Sequence, residues 1–427
     1  MTARRTLKLF EGVGVEIEYM IVDGESLAVV PISDRLLQGV AALPDAVVDE
    51  PEAGAFPSEV ALGKLAWSNE LVLHVVELKT NGPAADLGGL GAAFHRGVRQ
   101  VEALLEPLGA RLMPTAMHPL MNPERDTRLW PHEYSEVYAT FDRIFDCRGH
   151  GWSNLQSVHI NLPFDGDEEF ARLHGAIRLV LPLLPALSAS SPMVEGVLTG
   201  ICDNRLEYYR TNCQRIPSVT GHLIPEPIST RQEYEQRVLR PIARDVGPFD
   251  PNGILDPEWV NARGAIARFS RGSIEIRVLD VQECVAADLA IIEAVVQLLR
   301  LIAEEQWMTS SDQRLFPTER LKVLFRTLTQ AGSSAVIDDA AYLAALGIDP
   351  PDPLTARELW ATLFDQLGRR GLLSSEAAGP LEVYAAEGTL AERIVARLPP
   401  APGQDSIVAV YRELCECLRF DRSFRAE

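Results

Sequence analysis

Positive charge is in deficit in this chain. Forty Lys and Arg stand against sixty Asp and Glu, a formal net charge of −20 at pH 7, and no basic run offsets the deficit. Such a surface repels phosphate polymers and anionic lipid, which argues against nucleic acid or an anionic membrane as a partner. Cysteine is sparse as well. Six in 427 residues do not make a disulfide framework, and Cys415-Glu416-Cys417 has neither zinc nor thioredoxin spacing. Reduced thiols in the cytoplasm are the expectation. No run of ~20 apolar residues exists to span a bilayer, and residues 1–5 lead into a strand-like segment without a signal-peptide stretch. The familiar site signatures are missing too. Gly63-Lys64 lacks the Walker spacing, and Gly89-Leu90-Gly91 has Phe94 where a dinucleotide turn needs a small residue. His132-Glu133 has no second His at zincin spacing, and there is no Gly-x-Ser-x-Gly elbow.

What the chain does have is one strand pattern, used four times. In Gly14–Asp23, Val15, Ile17, Tyr19 and Ile21 alternate with Glu16, Glu18 and Met20. Two carboxylates about 7 Å apart on one face of a strand can be a solvated surface, or a pair of hard oxygen ligands. The pattern recurs with Glu275 and Arg277 opposite Ile274, Ile276 and Val278, and with Ser157, His159 and Asn161 opposite Val158, Ile160 and Leu162. It recurs again with Glu77 and Lys79 opposite Val76 and Leu78. One sheet with these polar faces turned inward would gather four carboxylates, an imidazole and two cations. Carboxylates so packed repel unless cations neutralise them, which reads as a multi-metal phosphoryl-transfer basin.

Around these strands, Asp23-Gly24 predicts a hairpin with a return strand near residues 27–31. Residues 33–69 are mixed, with Pro51, Gly54 and Pro57 as punctuation. A strand is expected over 71–80, preceded by Glu70. Leu87, Leu90, Phe94, Val98, Val101, Leu105 and Leu108 then recur at helical spacing. Residues 111–150 carry too many prolines for a long helix and too many aromatics for disorder, so a lid or substrate loop is expected. A helix at 168–188 should kink near Pro182 and Pro185. Arg205, Arg210 and Arg215 are loop arginines suited to a carboxylate or phosphate ligand. A sheet-covering helix follows Glu275, and from 308 onward the pattern is helical, without another acidic strand. The division expected is a catalytic core over 1–307 and a helical C-terminal region over 308–427.

The strands, in this order, resemble the bacterial carboxylate–amine ligases of the glutamate–cysteine ligase type. The matching stretches are Gly14-Val15-Glu16-Ile17-Glu18, Glu77-Leu78-Lys79-Thr80, Val158-His159-Ile160-Asn161, Ala186-Leu187-Ser188-Ala189-Ser190-Ser191-Pro192 and Ser273 to Asp280. The resemblance implies a glutamine synthetase-like α+β fold, with a curved, mainly antiparallel sheet covered by helices. It implies ATP carried on two or three Mg²⁺ or Mn²⁺ ions, with Glu16, Glu18, Glu77, His159 and Glu275 matching metal ligands. Glu70, seven positions before Glu77, matches a further one. In one unbroken strand it would face the wrong side, so its inclusion requires a bend. Arg277 matches an arginine facing the phosphates, and Asn161, Arg205, Arg210 and Arg263 are the candidates for substrate. Two departures stand out: Ser157 where many relatives have a second His, and a longer segment between Arg263 and the Glu275 strand.

The implied activity is an ATP-dependent ligase of glutathione biosynthesis, joining glutamate through its γ-carboxylate to cysteine by way of an acyl phosphate. Small-molecule substrates and a possible homo-oligomer go with it. The alternatives are the same chemistry on another acid or amine, a degenerate nucleotide sensor, and a two-metal hydrolase.

Overall fold

Nine antiparallel strands form one sheet around Gly14–Asp23, in a computed structural model that describes residues 6–48, 55–349 and 352–426. Residues 1–5 and the punctuating Pro51 and Gly54 lie outside the described residues. In chain order the strands are β1 (Gly14–Asp23), β2 (Ala46–Val47), β3 (Glu59–Leu62), β4 (Leu65–Asn69), β5 (Val75–Thr80), β6 (Ala110–Met113), β7 (Ser157–Pro163), β8 (Ala265–Arg268) and β9 (Ser273–Asp280). Their spatial order is β8-β9-β7-β1-β5-β4-β3-β2, with β6 also paired to β1. The four patterned strands are thus contiguous, with β1 between β5 and β7.

Period-two alternation explains the layering. Val15, Ile17, Tyr19 and Ile21 of β1 share a buried cluster with Phe94, Val98 and Val101 of helix Leu90–Leu105 and with Val295 and Leu299 of helix Val285–Ala303. Each side chain of this kind contributes roughly 1.5–3 kcal/mol by leaving water. A one-residue slip would send the acidic set into that core, so the register is strongly specified. Between Ile276 and Leu279 the β9–β7 register shifts by one residue, a bulge placed at Arg277.

Several expectations are corrected. The return after Asp23 is a single Val22–Val29 bridge rather than a strand. The strand expected over 71–80 starts only at Val75, because residues 71–74 turn away. Their backbone pairs with the segment before Trp130: Leu73 N–H donates to Arg128 O at 2.8 Å, and Trp130 N–H to Leu71 O at 2.9 Å. Residues 111–150 are built into the fold. They hold helices Pro123–Asp126 and Ser135–Phe145, and Trp130 is buried in the core.

The expected kink is present, since helix Gly166–Val180 passes through a 3₁₀ turn at Leu181–Leu183 into Leu184–Ser188. Prolines there disturb the helical ladder and leave carbonyls to satisfy. The C-terminal helices do so. Tyr342 Oη donates to Leu179 O at 2.6 Å, Trp360 Nε1 to Leu183 O at 3.3 Å, and Tyr384 Oη to Ala186 O at 2.8 Å. Gly166–Ser188 is also the one stretch among the described residues long and apolar enough to cross a membrane, and 94% of its apolar window is buried inside the protein.

Candidate catalytic basin

The antiparallel register fixes the basin. Glu18 stands opposite Glu77 across β1 and β5, Glu16 opposite His159 across β1 and β7, and Glu275 opposite Asn161 across β9 and β7. Gly14 lies opposite Asn161, and a Cβ there would come within 2.9 Å of the Asn161 Cβ. Glycine therefore leaves Asn161 room to lie over β1, where its Nδ2 donates to Glu16 Oε1 at 2.9 Å.

His159 is the pivot. Its Nδ1 lies 3.0 Å from Glu16 Oε2 and 3.9 Å from Glu275 Oε1, while Nε2 lies 2.9 Å from Ser157 Oγ and 3.8 Å from Glu18 Oε1. Glu16, His159 and Glu275 form one set of donor atoms within 4.8 Å of one another, and Glu18, Glu77 and His159 form a second. Ligands of one octahedral ion at about 2.1 Å lie roughly 3–4 Å apart, so small adjustments bring either set onto a hard cation. Four carboxylates to one imidazole suit Mg²⁺ or Mn²⁺ better than a thiophilic ion.

Electrostatics mark the same residues. Burial pushes the Glu77 carboxyl up to about 7, with the Glu16 charge adding to it and Lys79 opposing. Burial and the charges of Glu18 and Glu77 raise Glu70 well above the usual range. Against the cost of burial, the charges of Arg277 and Arg268 hold Glu275 far below it. Burial also works against a charged His159, yet its bond to Glu16 and the nearby carboxylates raise it. This basin wants more positive charge than its own side chains provide.

Glu70 does join it, because the chain breaks and turns at residues 71–74, between it and Glu77. It follows β4 in step with Ser68, and Ser68 faces Glu77 with its Oγ donating to Oε1 at 2.8 Å. Glu70 shares that face by strand parity. Lys79 Nζ bridges Glu77 at 3.2 Å and Glu59 at 2.8 Å.

A cleft with about 850 Å³ of empty space, counted to its mouth, opens over this face, within the size range of small-molecule sites. Glu18, Glu70, His159, Arg205 and Arg277 line it. Arg277 Nε lies 2.9 Å from Glu275 Oε1, and Nη1 reaches Tyr209 Oη only at 3.5 Å. Asn161 sits beside it, on Glu16. The other two substrate candidates are not brought there. Arg263 is spent on Glu226, with bonds of 2.8 and 2.7 Å, and on Asn261 Oδ1 at 3.0 Å. Arg210 pairs with Glu207 on its own turn of helix.

Sequence reasoning missed Arg268, Trp152 and Asn212. Arg268 Nε donates to Glu275 Oε2 at 2.8 Å from the neighbouring strand, and a β8–β9 hairpin was the signal available for it. Trp152, on the one-turn helix His150–Ser153, and Asn212, in a turn, line the cleft from segments too short for periodicity to announce them. The serine-rich stretch proves to be wiring. Ser190 N–H and Ser191 Oγ donate to Asp280 Oδ2 at 2.8 and 3.1 Å, and Asp280 in turn holds Arg205.

Comparison with known proteins bears on the family and the fold. The profile of Glutamate-cysteine ligase family 2 (GCS2) matches residues 12–346. An Archaeoglobus fulgidus protein named only as uncharacterized is 30% identical over 409 residues, 95% of this chain and 98% of its own. A glutamate–cysteine ligase of Halobacterium salinarum is 25% identical over 299 residues, 68% of this chain and 69% of its own. Among solved structures, a glutamate–cysteine ligase from Francisella tularensis in complex with AMP superposes with a TM-score of 0.56 at 14% identity, covering 97% of this chain and 90% of that one. A bifunctional glutathione synthetase from Pasteurella multocida gives 0.52 at 12% identity, covering 96% and 52%.

Proposed function

The chain belongs to glutamate–cysteine ligase family 2 and is an ATP-dependent carboxylate–amine ligase, and on that premise we propose that it joins the γ-carboxylate of glutamate to the amine of cysteine. The observation that carries the site is the pair of acidic triads sharing His159. We assign one divalent ion, Mg²⁺ or Mn²⁺, to Glu16 and Glu275 and a second to Glu18 and Glu77, with Glu70 near the second and His159 completing one of the two sets. Bound there, such ions would neutralise the carboxylates and polarise phosphate oxygens of ATP.

The chemistry has two steps. The substrate carboxylate attacks the γ-phosphorus of ATP, giving an acyl phosphate and ADP. The amine nitrogen, having lost a proton to solvent, then attacks the acyl carbon and expels phosphate, leaving an amide. The protein's part is placement and charge. Arg277, ion-paired with Glu275, lines the cleft, where transferring phosphate oxygens gain charge. Asn161 and Ser157 hold Glu16 and Glu18 in place. Tyr138, Phe141 and Trp152 wall the cleft and limit water around the acyl phosphate.

Six unpaired cysteines suit a reducing compartment, and on this reading the protein works in the cytoplasm, in glutathione biosynthesis. ADP release from ATP and Mg²⁺ across a matrix of acids and amines tests it. Glutamate with cysteine should give the highest rate, and 2-aminobutyrate should replace cysteine, since a missing weak S–H contact costs little. If another pair gives the highest rate and this one gives none, the substrate assignment fails. If no pair releases ADP, the site assignment fails with it.

A further inference from the structure

We propose that Ser157 is a positioning residue, whose hydroxyl holds the His159 ring so that Nδ1 serves the Glu16–Glu275 side of the basin. The inference rests on the reading of the basin as a two-ion site. It adds the residue that decides which side the imidazole serves.

Ser157 opens β7, two residues before His159 on the same face, and is buried. Its Oγ lies 3.0 Å from Glu18 Oε2 and 2.9 Å from His159 Nε2. A hydroxyl owns one hydrogen and two lone pairs, and a carboxylate can only accept. The hydrogen of Ser157 therefore goes to Glu18, and Nε2–H of His159 donates to Oγ. A ring whose Nε2 is occupied in this way has Nδ1 alone to offer a cation. Ligating histidines are oriented by such a bond from the other ring nitrogen.

The two acidic members of that triad are treated alike. Asn161 Nδ2 takes Glu16 Oε1 at 2.9 Å, and Arg268 Nε takes Glu275 Oε2 at 2.8 Å. The atoms left over are Glu16 Oε2, Glu275 Oε1 and His159 Nδ1, and these face one another. Nδ1 lies 3.0 Å from the first and 3.9 Å from the second. Arg277 shares Glu275 Oε1 at 2.9 Å. Toward the other triad the ring is blocked, since Ser157 Oγ stands at 2.9 Å from Nε2 and Glu18 Oε1 at 3.8 Å.

Glu18 does not depend on the hydroxyl. The backbone N–H of Ser157 already donates to Glu18 Oε2 at 2.6 Å. Removing Oγ leaves that anchor and strips only the ring of its partner. Glu18 Oε1 is then the acceptor to which Nε2–H can turn, and the turn carries Nδ1 away from its own triad.

Mn²⁺ titration of the full-length protein, with free Mn²⁺ read by electron paramagnetic resonance, tests the assignment in two backgrounds. Glu77→Gln disables one side and leaves Glu16 with Glu275. Glu16→Gln leaves Glu18 with Glu77. Ser157→Ala should weaken the remaining ion roughly tenfold or more in the first background, and within about threefold in the second. Ser157→Thr keeps the hydroxyl and should stay within about threefold of the serine protein in both. If the threonine variant does not fold, the alanine contrast decides alone. In otherwise unaltered protein, Ser157→Ala should weaken one of two sites. Weakening confined to the Glu16→Gln background would give the ring to the other ion and overturn the proposal. Equal weakening in both backgrounds, or none in either, would overturn it too. Two Mn²⁺ sites in wild type with a silent Ser157→Ala would leave the two-ion reading standing, whereas wild type that binds no Mn²⁺ would refute both.

Discussion

Glu18 and Glu77 are buried and face each other directly across two antiparallel strands. Like charges in that position destabilise a sheet, and the local compensation is small. Ser157 N–H and Oγ hold Glu18 Oε2 at 2.6 and 3.0 Å, and Ser68 with Lys79 holds Glu77. Glu275, the other acidic pole, is in the opposite condition, with a guanidinium on each carboxylate oxygen.

The two carboxylates should therefore respond oppositely to neutralisation. In chelator, Glu77→Gln relieves repulsion and keeps an acceptor for Ser68, so the melting temperature should hold or rise. Glu275→Gln strands Arg268 and Arg277, and should cost about 3–5 kcal/mol. Thermal unfolding without metal measures both. A larger loss for Glu77→Gln than for Glu275→Gln would show that repulsion does not dominate this end of the basin.

Metal should raise stability, and His159 should divide unequally between the two ions. A neutral imidazole has one lone pair in its plane for a cation, and the two triads approach opposite ring nitrogens. His159→Asn should then weaken one of two Mn²⁺ sites by roughly 10–100-fold and spare the other. Wild-type protein at a hundred times Kd should gain about 2.7 kcal/mol. Equal weakening of both sites in a Mn²⁺ titration would mean that the ring bridges the ions.

Acid should unfold this protein through buried histidines outside the two acidic triads. Burial lowers His74 and His118 to about 4, and burial with the nearby Arg178 charge lowers His174 to about 3. Unfolded histidine titrates near 6.5, so between these values the unfolded chain binds more protons. This contribution is fully present above pH 6.5 and is lost as pH falls toward 4. Each group costs about 1.4 kcal/mol per pH unit there. His174 sits against Phe170 with both ring nitrogens unbonded. His174→Phe should keep stability at pH 8 and reduce proton uptake on unfolding at pH 5 by about one, as denaturant melts across pH would measure.

Alternation made the acidic strands readable, because a strand repeats every two residues whatever it pairs with. Pairing partners are a long-range matter. Nothing local says that β1 lies between β5 and β7, or that Glu70 belongs with Ser68 rather than with the strand after it. The loop arginines show the same limit. Arg205 and Arg263 look alike in sequence, yet Glu226 takes the donors of Arg263, while Asp280 leaves one nitrogen of Arg205 unpaired. Trp152 and Asn212 had no periodic signal, since their positions come from one close contact at Gly151.

Arg277 is where the chemistry can be tested most directly. It lies at the β9 bulge, the kind of irregularity that re-aims a side chain next to an active site. Burial works against its charge, yet Tyr209 and the carboxylates Glu275, Glu18 and Glu70 raise its affinity for the proton. A pure counter-charge role would leave the fork without further work, and Arg277→Lys would then keep near-normal turnover. The geometry favours more, since Arg277 meets Glu275 in an ion pair without a hydrogen bond from Nε, and the Nη1 contact to Tyr209 is long. A lysine keeps the charge but cannot make a two-pronged contact with phosphate oxygens. If that contact strengthens as charge moves onto those oxygens, Arg277→Lys should lower kcat by roughly 10³-fold with ATP affinity changed far less. Turnover within about tenfold of wild type, or about 1.4 kcal/mol of barrier, would remove Arg277 from the transition state and leave it as ballast for Glu275.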